Sequence, residues 1–346
     1  MSASIIPSFN NCPALPGYHC QTNSLAKIFH FNNHTLSEEF LLGIGAGMGF
    51  IYWHQKGNLP FVGGRGNKNF IADISARTAV IIKEKKTDIA EKAEKDLVNM
   101  LKKGTPVMLF GDMCYMPWFN FPDDYHFGGH TFVICGFDGN NRVLISDMNP
   151  RMGGLKDGIL ETVDLETIRK IRSSKYQPFP PKNAWYDFDF SYFKYPSSTD
   201  IHSAIAQTCN DMLNAPISNM GIRGMRRTAQ EIKKWPKIFS SDMLKMALFN
   251  LYIYIEIGGT GGGCFRYMYS RFLKEASTIT GNQSLIEIAN NFQQSGTLFT
   301  EIAMLFKEMD DVSHLEERLQ QASEKFLQIA EIEENAFRNL LIIKQN

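Results

Sequence analysis

The sequence changes character once, near residue 195, and this change is what most restricts the folds open to the chain. Before it, short apolar runs alternate with Gly, Pro and Asn, a pattern typical of mixed helices and strands. After about residue 200, apolar residues recur every three or four positions, as in Leu285, Ile288 and Phe292, which is helical spacing. We therefore predict an α+β domain over residues 1–195 and an all-α domain over residues 196–346.

The tract 177–198 between these domains is rich in Pro, Tyr, Phe and Ser. Because it is aromatic, we expect it to pack and not to behave as a flexible linker. Within the first domain the pattern predicts strands at 50–53, 80–82 and 107–110 and an exposed helix at 89–102. The last helix, with Leu315, Leu319 and Phe326 on one stripe, is long enough to form the seam of a homodimer.

Bulk composition argues against several classes of protein without deciding the function. The 36 Lys and Arg residues balance 36 Asp and Glu residues, so no charge pattern for nucleic acid or an anionic membrane stands out. The start of the chain lacks the basic and apolar regions of a signal peptide, and no apolar stretch is long enough to span a bilayer, so we expect a cytoplasmic enzyme. The six cysteines form no CxxC pair, which argues against a disulfide framework or a zinc site.

Cys20 is the first candidate for chemistry. It follows the turn-forming Pro16-Gly17 and precedes Leu25, Ile28 and Phe29, which have the spacing of an amphipathic helix. The first turn of a helix offers unpaired N–H groups and the positive end of the helix dipole, which favour a thiolate. We therefore predict that Cys20 begins a helix as a reactive thiol, although an unpaired cysteine is more often a small buried hydrophobe.

Residues 128–150 predict a β-hairpin, because β-branched and aromatic runs flank the turn signal Asp138-Gly139. A two-residue turn at that point places His130 directly opposite Asp147, whereas a four-residue loop places it opposite Asn149. Either side chain can orient an imidazole ring from across the hairpin. The order Cys20, His130 and then Asp147 or Asn149 is that of papain-like enzymes, in which a thiolate attacks a carbonyl carbon and histidine transfers the proton.

Other polar residues near these motifs are candidates for substrate contacts. A carboxylate is a suitable partner for an amine, an arginine can hold a carboxylate or phosphate through two hydrogen bonds, and a glycine before the histidine lets a ligand approach it closely. A helix start capped by Ser37 with Glu38 in its first turn, a solvated loop for Arg65 and a turn for Asp112 are the alternative interpretations. The predicted substrate-binding residues are Glu38, Arg65, Asp112, Tyr115, Gly129 and Arg266.

The glycine run 258–263 is similar to a phosphate-binding loop, because successive N–H groups can form an anion nest before the helix near Phe265. It lacks the Gly-Lys-Ser/Thr of a P-loop and does not complete GxGxxG. A turn that packs helices or contacts substrate is the preferred interpretation, and Arg266 follows it directly.

Six short motifs follow one another along the chain. They are Pro-Gly-Tyr-His-Cys20, Ser37-Glu38-Glu39 with the glycine-rich segment 43–50, Gly64-Arg65, Gly111-Asp112-Met-Cys-Tyr115, Gly-Gly-His130 and Ser-Asp147. In this order they resemble the amino-terminal domain of the butirosin biosynthesis acyltransferase family. The segments after Met220 and after Gly258 are similar to the helical domain that commonly follows it. The resemblance implies a papain-like domain, with a Cys-bearing helix packed on an antiparallel sheet that carries His and Asp. It also implies that the helical domain covers the cleft.

The resemblance further implies a cysteine acyltransferase that moves an acyl or aminoacyl group from a thioester to a small amine. Cys20 would be the nucleophile, His130 the base and Asp147 its orienting group. The donor would be an acyl carrier protein or a small thioester, so the phosphopantetheine arm belongs to the donor and the enzyme holds no cofactor or metal. Related enzymes complete the oxyanion hole with a glutamine before the cysteine, which this chain lacks, and Asn10 or Asn11 is the candidate substitute. A cysteine amidase or peptidase, and a non-catalytic binding protein, are the alternative functions.

Overall fold

A computed structural model describes residues 12–149, 155–308 and 314–343, and the structural statements below concern these residues. The chain divides into two units. The first unit contains the residues up to 38 together with 79–194, and the second contains 39–78 together with the residues from 195 onward. These units differ from the predicted domains, because residues 39–78 fold with the carboxy-terminal helices.

The first unit is built on a six-stranded antiparallel sheet with the strand order β3-β8-β4-β5-β6-β7. Its strands are β3 (Ile81–Lys85), β4 (Val107–Gly111), β5 (His130–Phe137), β6 (Arg142–Met148), β7 (Gly158–Asp164) and β8 (Trp185–Asp189), and its helices are α1 (Cys20–Phe31), α4 (Ala90–Lys102) and α5 (Leu165–Ser173). The aromatic tract 177–198 therefore supplies a strand, β8, that lies inside the sheet between β3 and β4.

Side chains of β5 point alternately to two sides, as the pleat of a strand requires. Phe132 and Ile134 belong to a buried apolar cluster that also includes Leu97 of α4 and Leu109 of β4. Thr131 lies between His130 and Phe132 in the strand and faces α1. Its hydroxyl lies 3.5 Å from that of Ser24 in this helix. Helix α1 thus packs on β5 and brings its first residue to the start of that strand.

The second unit is mainly helical, with one two-stranded antiparallel sheet. Its elements are α2 (Glu38–Ile44), which starts on the last residue of the first unit, β1 (Met48–Trp53), β2 (Phe61–Arg65), α3 (Phe70–Thr78), α6 (Ser198–Leu213), α7 (Gly221–Ile232), α8 (Trp235–Ile238), α9 (Ser241–Tyr252), α10 (Arg266–Thr280), α11 (Ser284–Met304) and α12 (Leu315–Ile342). The predicted apolar stripes are buried, including Phe292, Phe299 and Phe326. A mixed α/β part followed by a helical part is consistent with the predicted papain-like domain and helical domain.

Among the described residues, none of the helices is both long enough and apolar enough to cross a membrane.

Candidate active site

Cys20 is the first residue of α1, as the sequence predicts. The preceding residue, His19, has extended backbone angles, and its Nδ1 accepts the N–H of Thr22 at 3.3 Å, which caps the helix. Gly17 leads into this turn without a side chain because an added Cβ would lie 2.1 Å from Oε1 of Glu38. The Pro-Gly signal before Cys20 therefore has a physical cause, which is the close approach of a carboxylate to the backbone.

Glu38 fixes the start of α1 from the side. Its Oε1 accepts the N–H of Tyr18 at 3.0 Å, and its Oε2 accepts the N–H of His19 at 3.1 Å and the hydroxyl of Thr22 at 2.7 Å. Asn23 donates to Oε1 at 3.2 Å as well. Burial raises the pKa of Glu38, and these hydrogen bonds oppose the rise. Because protein donors occupy both oxygens, the predicted substrate-binding role of Glu38 is replaced by a structural one.

His130 and Asp147 are in direct contact and both are buried. The imidazole Nε2 lies 2.9 Å from Oδ2 and 3.1 Å from Oδ1 of the aspartate. The predicted two-residue turn is wrong, because Asp138 accepts three N–H groups from residues 140–142 with its side chain and pairs its own N–H with Arg142.

A register shift between Ile134 and Gly136 then changes the pairing towards the open end of the hairpin, where Val133 faces Ser146. Continuing that register places Asn149 across from His130, as the four-residue alternative predicts, and Asp147 across from Phe132, so that Asp147 is the diagonal neighbour of His130. The structure therefore brings His130 to Asp147, and not to Asn149, by a diagonal contact.

The side chains of Cys20 and His130 lie close enough for each to shift the pKa of the other. Burial alone would raise the pKa of the Cys20 thiol, but the hydrogen bond and charge of His130, together with hydrogen bonds from Thr131, lower it overall. Burial would lower the pKa of His130, yet the charge and hydrogen bond of Asp147 and the contact with Cys20 raise it to about 10. A thiol with a lowered pKa beside an imidazole with a raised one favours a thiolate–imidazolium pair.

Two aromatic residues that the sequence analysis missed enclose the His130–Asp147 pair. Trp118 donates its indole N–H to Oδ2 of Asp147 at 3.0 Å. The ring of Phe119 meets that of His130 edge-on, with centroids 5.1 Å apart. Both belong to the connection between β4 and β5, whose aromatic segment Trp-Phe-Asn-Phe shortly before the histidine strand is the signal that could have identified them.

Two buried lysines near these residues were also missed. Lys27 is 1% exposed and donates to the backbone oxygen of Asp147 at 2.9 Å. Burial lowers its pKa to about 8, against the opposing charges of Asp147 and Glu38. Lys156 is 6% exposed and donates to the backbone oxygen of Tyr18 at 3.2 Å. The sequence signal for Lys27 was its position, a charged residue among the apolar residues of α1.

Asp112 is buried and fully engaged by the connection that follows β4. It caps a short 3-10 helix by accepting the N–H of Cys114, and it accepts the N–H of Phe127 at 3.0 Å. His126 contacts it at 2.9 Å and the hydroxyl of Ser174 donates to it at 2.5 Å. Although burial raises the pKa of Asp112, these hydrogen bonds lower it overall. The structure thus supports the turn interpretation and corrects the predicted substrate contact.

The remaining predicted residues of the first unit, Tyr115 and Gly129, lie in the same connection between β4 and β5. Tyr115 is 37% exposed, and Gly129 is partly exposed next to His130. The atoms nearest to an added Cβ at Gly129 belong to the ring of Phe127, the closest at 2.9 Å. Their predicted contacts with substrate remain predictions.

The two predicted arginines belong to the second unit. Arg65 lies at the end of β2 with its guanidinium 4.1 Å from the ring centroid of Phe70. Arg266 is completely buried and forms a two-point ion pair with Glu333, at 2.8 and 3.0 Å. It also donates to the backbone oxygens of Gly49 and Cys264. Arg266 therefore stabilises the interior of the second unit, which corrects its predicted role in binding.

The glycine run 258–263 also serves packing. The N–H of Gly263 donates to Glu256 at 3.0 Å, and an added Cβ on this glycine would lie 2.8 Å from the backbone of Gly296 in α11. With φ of +53° it also occupies the left-handed region that glycine tolerates. The run therefore lets helices approach closely, as the preferred interpretation states.

The cysteines partly contradict the sequence analysis, because Cys12 and Cys135 form a disulfide. It ties the segment before Cys20 to β5.

Asn10 and Asn11, the candidate substitutes in the oxyanion hole, lie outside the described residues. Within the described part of the chain, no group of three or more His, Cys, Asp or Glu side chains is arranged to hold a metal ion.

These features define a class of protein: a mixed α/β unit that presents cysteine, histidine and aspartate on α1, β5 and β6, joined to a helical part. Comparison with known families agrees with this class. Residues 19–148 match the family model described as butirosin biosynthesis protein H, N-terminal, and residues 166–340, just over half of the chain, match a domain of unknown function (DUF4872). The chain therefore belongs to the family defined by this domain of unknown function, and the match over residues 19–148 is consistent with a butirosin biosynthesis protein H-like protein. No curated protein matches it.

Proposed function

We propose that this protein is a cysteine acyltransferase that moves an acyl or aminoacyl group from a thioester to a small amine through an acyl-Cys20 intermediate. The contact of Cys20 with His130, whose other nitrogen is held by Asp147, carries the proposal. The sequence comparison gives independent support, because the family model matched by residues 19–148 is named for a biosynthetic protein.

The first half of the reaction transfers the acyl group to the enzyme. The Cys20 thiolate forms a bond to the carbonyl carbon of the thioester, and the carbonyl π electrons move to oxygen. When the carbonyl re-forms, the bond to the donor sulfur breaks and His130 gives its proton to that sulfur. Asp147 holds the ring through Nε2, which leaves Nδ1 to face the reacting sulfur.

The second half returns the enzyme to its starting state. The amine nitrogen attacks the acyl-Cys20 carbonyl, His130 accepts the proton that the nitrogen loses, and the Cys20 thiolate leaves. Trp118 and Phe119 cover the histidine and aspartate, so these groups are held in one geometry through both halves. The alternative, hydrolysis as an amidase or peptidase, uses the same groups with water in place of the amine.

The carrier-bound form of the donor is supported by an exposed basic surface in the second unit. We call this the α7–α8 surface, formed by Arg223, Arg226, Arg227, Lys233, Lys234 and Lys237, which are all exposed. Arg226 and Lys234 form ion pairs with Glu334 and Glu231. Arg223 donates to the backbone oxygen of Ala215 and Arg227 to the side chain of Asn219, so neutral acceptors hold these two guanidinium groups. In a chain of zero formal charge, this local excess of positive charge favours a protein partner with an acidic face.

The decisive experiment for the reaction is intact-mass analysis of the protein after incubation with candidate acyl thioesters. We expect an acyl adduct that is absent in Cys20→Ala and that an added amine removes faster than water does. An adduct that water alone removes equally fast would favour the hydrolase. No adduct from any thioester would overturn covalent catalysis and favour the non-catalytic binding protein.

The form of the donor is tested separately with the double variant Arg223→Glu/Arg227→Glu. We expect KM for a carrier-bound acyl group to rise about tenfold, because a reversed charge disfavours an acidic partner. KM for the same acyl group on free pantetheine should not change. The matched control is Lys92→Glu/Lys95→Glu on exposed positions of α4. Equal behaviour of the two donors in the α7–α8 variant would rule out this surface as the docking site.

A further inference from the structure

Lys156 places a buried cation on the segment that leads into the nucleophile. Its backbone pairs with Gly17 in both directions, with each N–H 2.8 Å from the opposing oxygen. Its ammonium donates to the backbone oxygen of Tyr18, two residues before Cys20, at 3.2 Å. Because both its backbone and its side chain are held by this short segment, the charge has a defined place beside the start of α1.

Among the described residues, this charge has no dedicated counter-ion. An ammonium has three N–H donors, and the bond to Tyr18 uses one of them. No described carboxylate forms an ion pair with Lys156. The negative groups that oppose the burial-driven fall of its pKa are Cys20 and Glu38. The oxygens of Glu38 already accept four other hydrogen bonds.

A buried charge without a close partner is costly, and a protein retains one mainly where an opposite charge arrives during function. Cys20 is the nearby group at which negative charge changes during the proposed reaction. Its sulfur already receives hydrogen bonds from His130 and Thr131. The oxygen of a carbonyl attacked by that sulfur needs donors of its own, and no glutamine lies between residue 12 and Cys20, while Asn10 and Asn11 lie outside the described residues.

We propose that Lys156 stabilises the tetrahedral oxyanion that forms when Cys20 attacks the thioester, an inference that rests on the proposed acyl transfer. As the new carbon–sulfur bond forms, the carbonyl electron pair moves to oxygen, where the Cys20 N–H and the Lys156 ammonium meet it. As the carbonyl re-forms, the pair returns, the donor thiolate leaves, and His130 supplies its proton. Lys156 stays protonated throughout.

The reactions of Cys20 with two electrophiles distinguish stabilisation of the oxyanion from stabilisation of the thiolate or of the fold. Iodoacetamide reacts with Cys20 by displacement at a saturated carbon, so no oxyanion forms, whereas a thioester must pass through one. In Lys156→Gln we expect the rate of Cys20 acylation to fall by about 100-fold, the loss typical of a missing oxyanion donor, while the rate of alkylation changes little. Lys156→Arg keeps a cation and should recover part of the acylation rate.

Lys92→Gln, at an exposed position of α4, is the matched control and should leave both rates unchanged. If Lys156→Gln does not fold, as judged by circular dichroism, Lys156→Met fills the same buried space and takes its place. A parallel fall in acylation and alkylation would overturn the inference, as would an unchanged acylation rate. If the wild-type Cys20 is alkylated but accepts no acyl group, the proposed function itself fails. That result concerns the wild type and is distinct from the two Lys156→Gln results that would overturn the inference.

Discussion

Replacing Lys27 by methionine should stabilise the protein. The ammonium of Lys27 is 1% exposed, and burial lowers its pKa from 10.5 to about 8. At about 1.4 kcal/mol for each tenfold change in an acid constant, keeping this group charged costs about 3 kcal/mol at pH 7. Methionine fills a similar volume without the charge, but the backbone oxygen of Asp147 loses its donor, which costs about 1 kcal/mol. We therefore expect a net gain of about 2 kcal/mol.

The dependence of this gain on pH follows from the lowered pKa. The unfolded chain holds the Lys27 proton up to pH 10.5, whereas the folded protein releases it near pH 8, so the stability of the wild type rises with pH between these values. The electrostatic cost is fully present below pH 8 and falls to about 2 kcal/mol at pH 9 and below about 1 kcal/mol at pH 10. The advantage of Lys27→Met should shrink accordingly.

The assay is urea denaturation of both proteins at pH 7, 9 and 10, followed by circular dichroism. Other groups titrate in this range, and taking the difference between the two proteins cancels their contributions. Lys95→Met, at an exposed position of α4, is the control and should change stability little. A Lys27→Met protein that is less stable at pH 7, or whose stability difference does not depend on pH, would refute the reasoning.

Three further predictions concern the site and the second unit. Trp118→Phe removes the indole donor to Asp147 and should lower kcat/KM for acyl transfer about tenfold, the value of one hydrogen bond to a charged group. Because the pKa of Cys20 is lowered from 9.0, its alkylation rate should reach a plateau below pH 9, which a stopped-flow pH series measures. Arg266→Met leaves Glu333 buried and unpaired and should cost about 3–5 kcal/mol in denaturation, much of which Arg266→Met/Glu333→Leu should restore.

The sequence located the centre of the candidate site because local rules govern it. A Pro-Gly turn followed by helical spacing predicts the start of α1, and β-branched runs around an Asp-Gly turn predict the hairpin. The detailed pairing was not predictable in this way. The shift between Ile134 and Gly136 changes the register, and Asp147 reaches His130 diagonally.

The division into units depends on long-range packing, which periodicity does not report. Residues 39–78 contain short strands and helices like those of the first unit, yet they fold with the helices of the second. The ion pair of Arg271 with Glu39, at 2.7 Å, is one contact of this kind, and it joins residues far apart in the chain. Similarly, β8 comes from the tract 177–198, whose Pro, Tyr, Phe and Ser content predicts a domain boundary. It forms a strand because it pairs with β3 on one side and β4 on the other.

Buried charges were the main source of error, and the direction of the error has a physical reason. A charged residue in a sequence is normally assigned to the surface or to a ligand, since burying it costs free energy. Glu38 and Arg266 escape that cost because several protein groups surround each of them, and those groups come from distant segments. Lys156 differs from both, because in the described part of the chain its ammonium has one acceptor and the nucleophile lies beside it. Lys27 also has a single acceptor among the described residues, so the nucleophile beside Lys156, and not the number of its partners alone, marks this charge as a functional one.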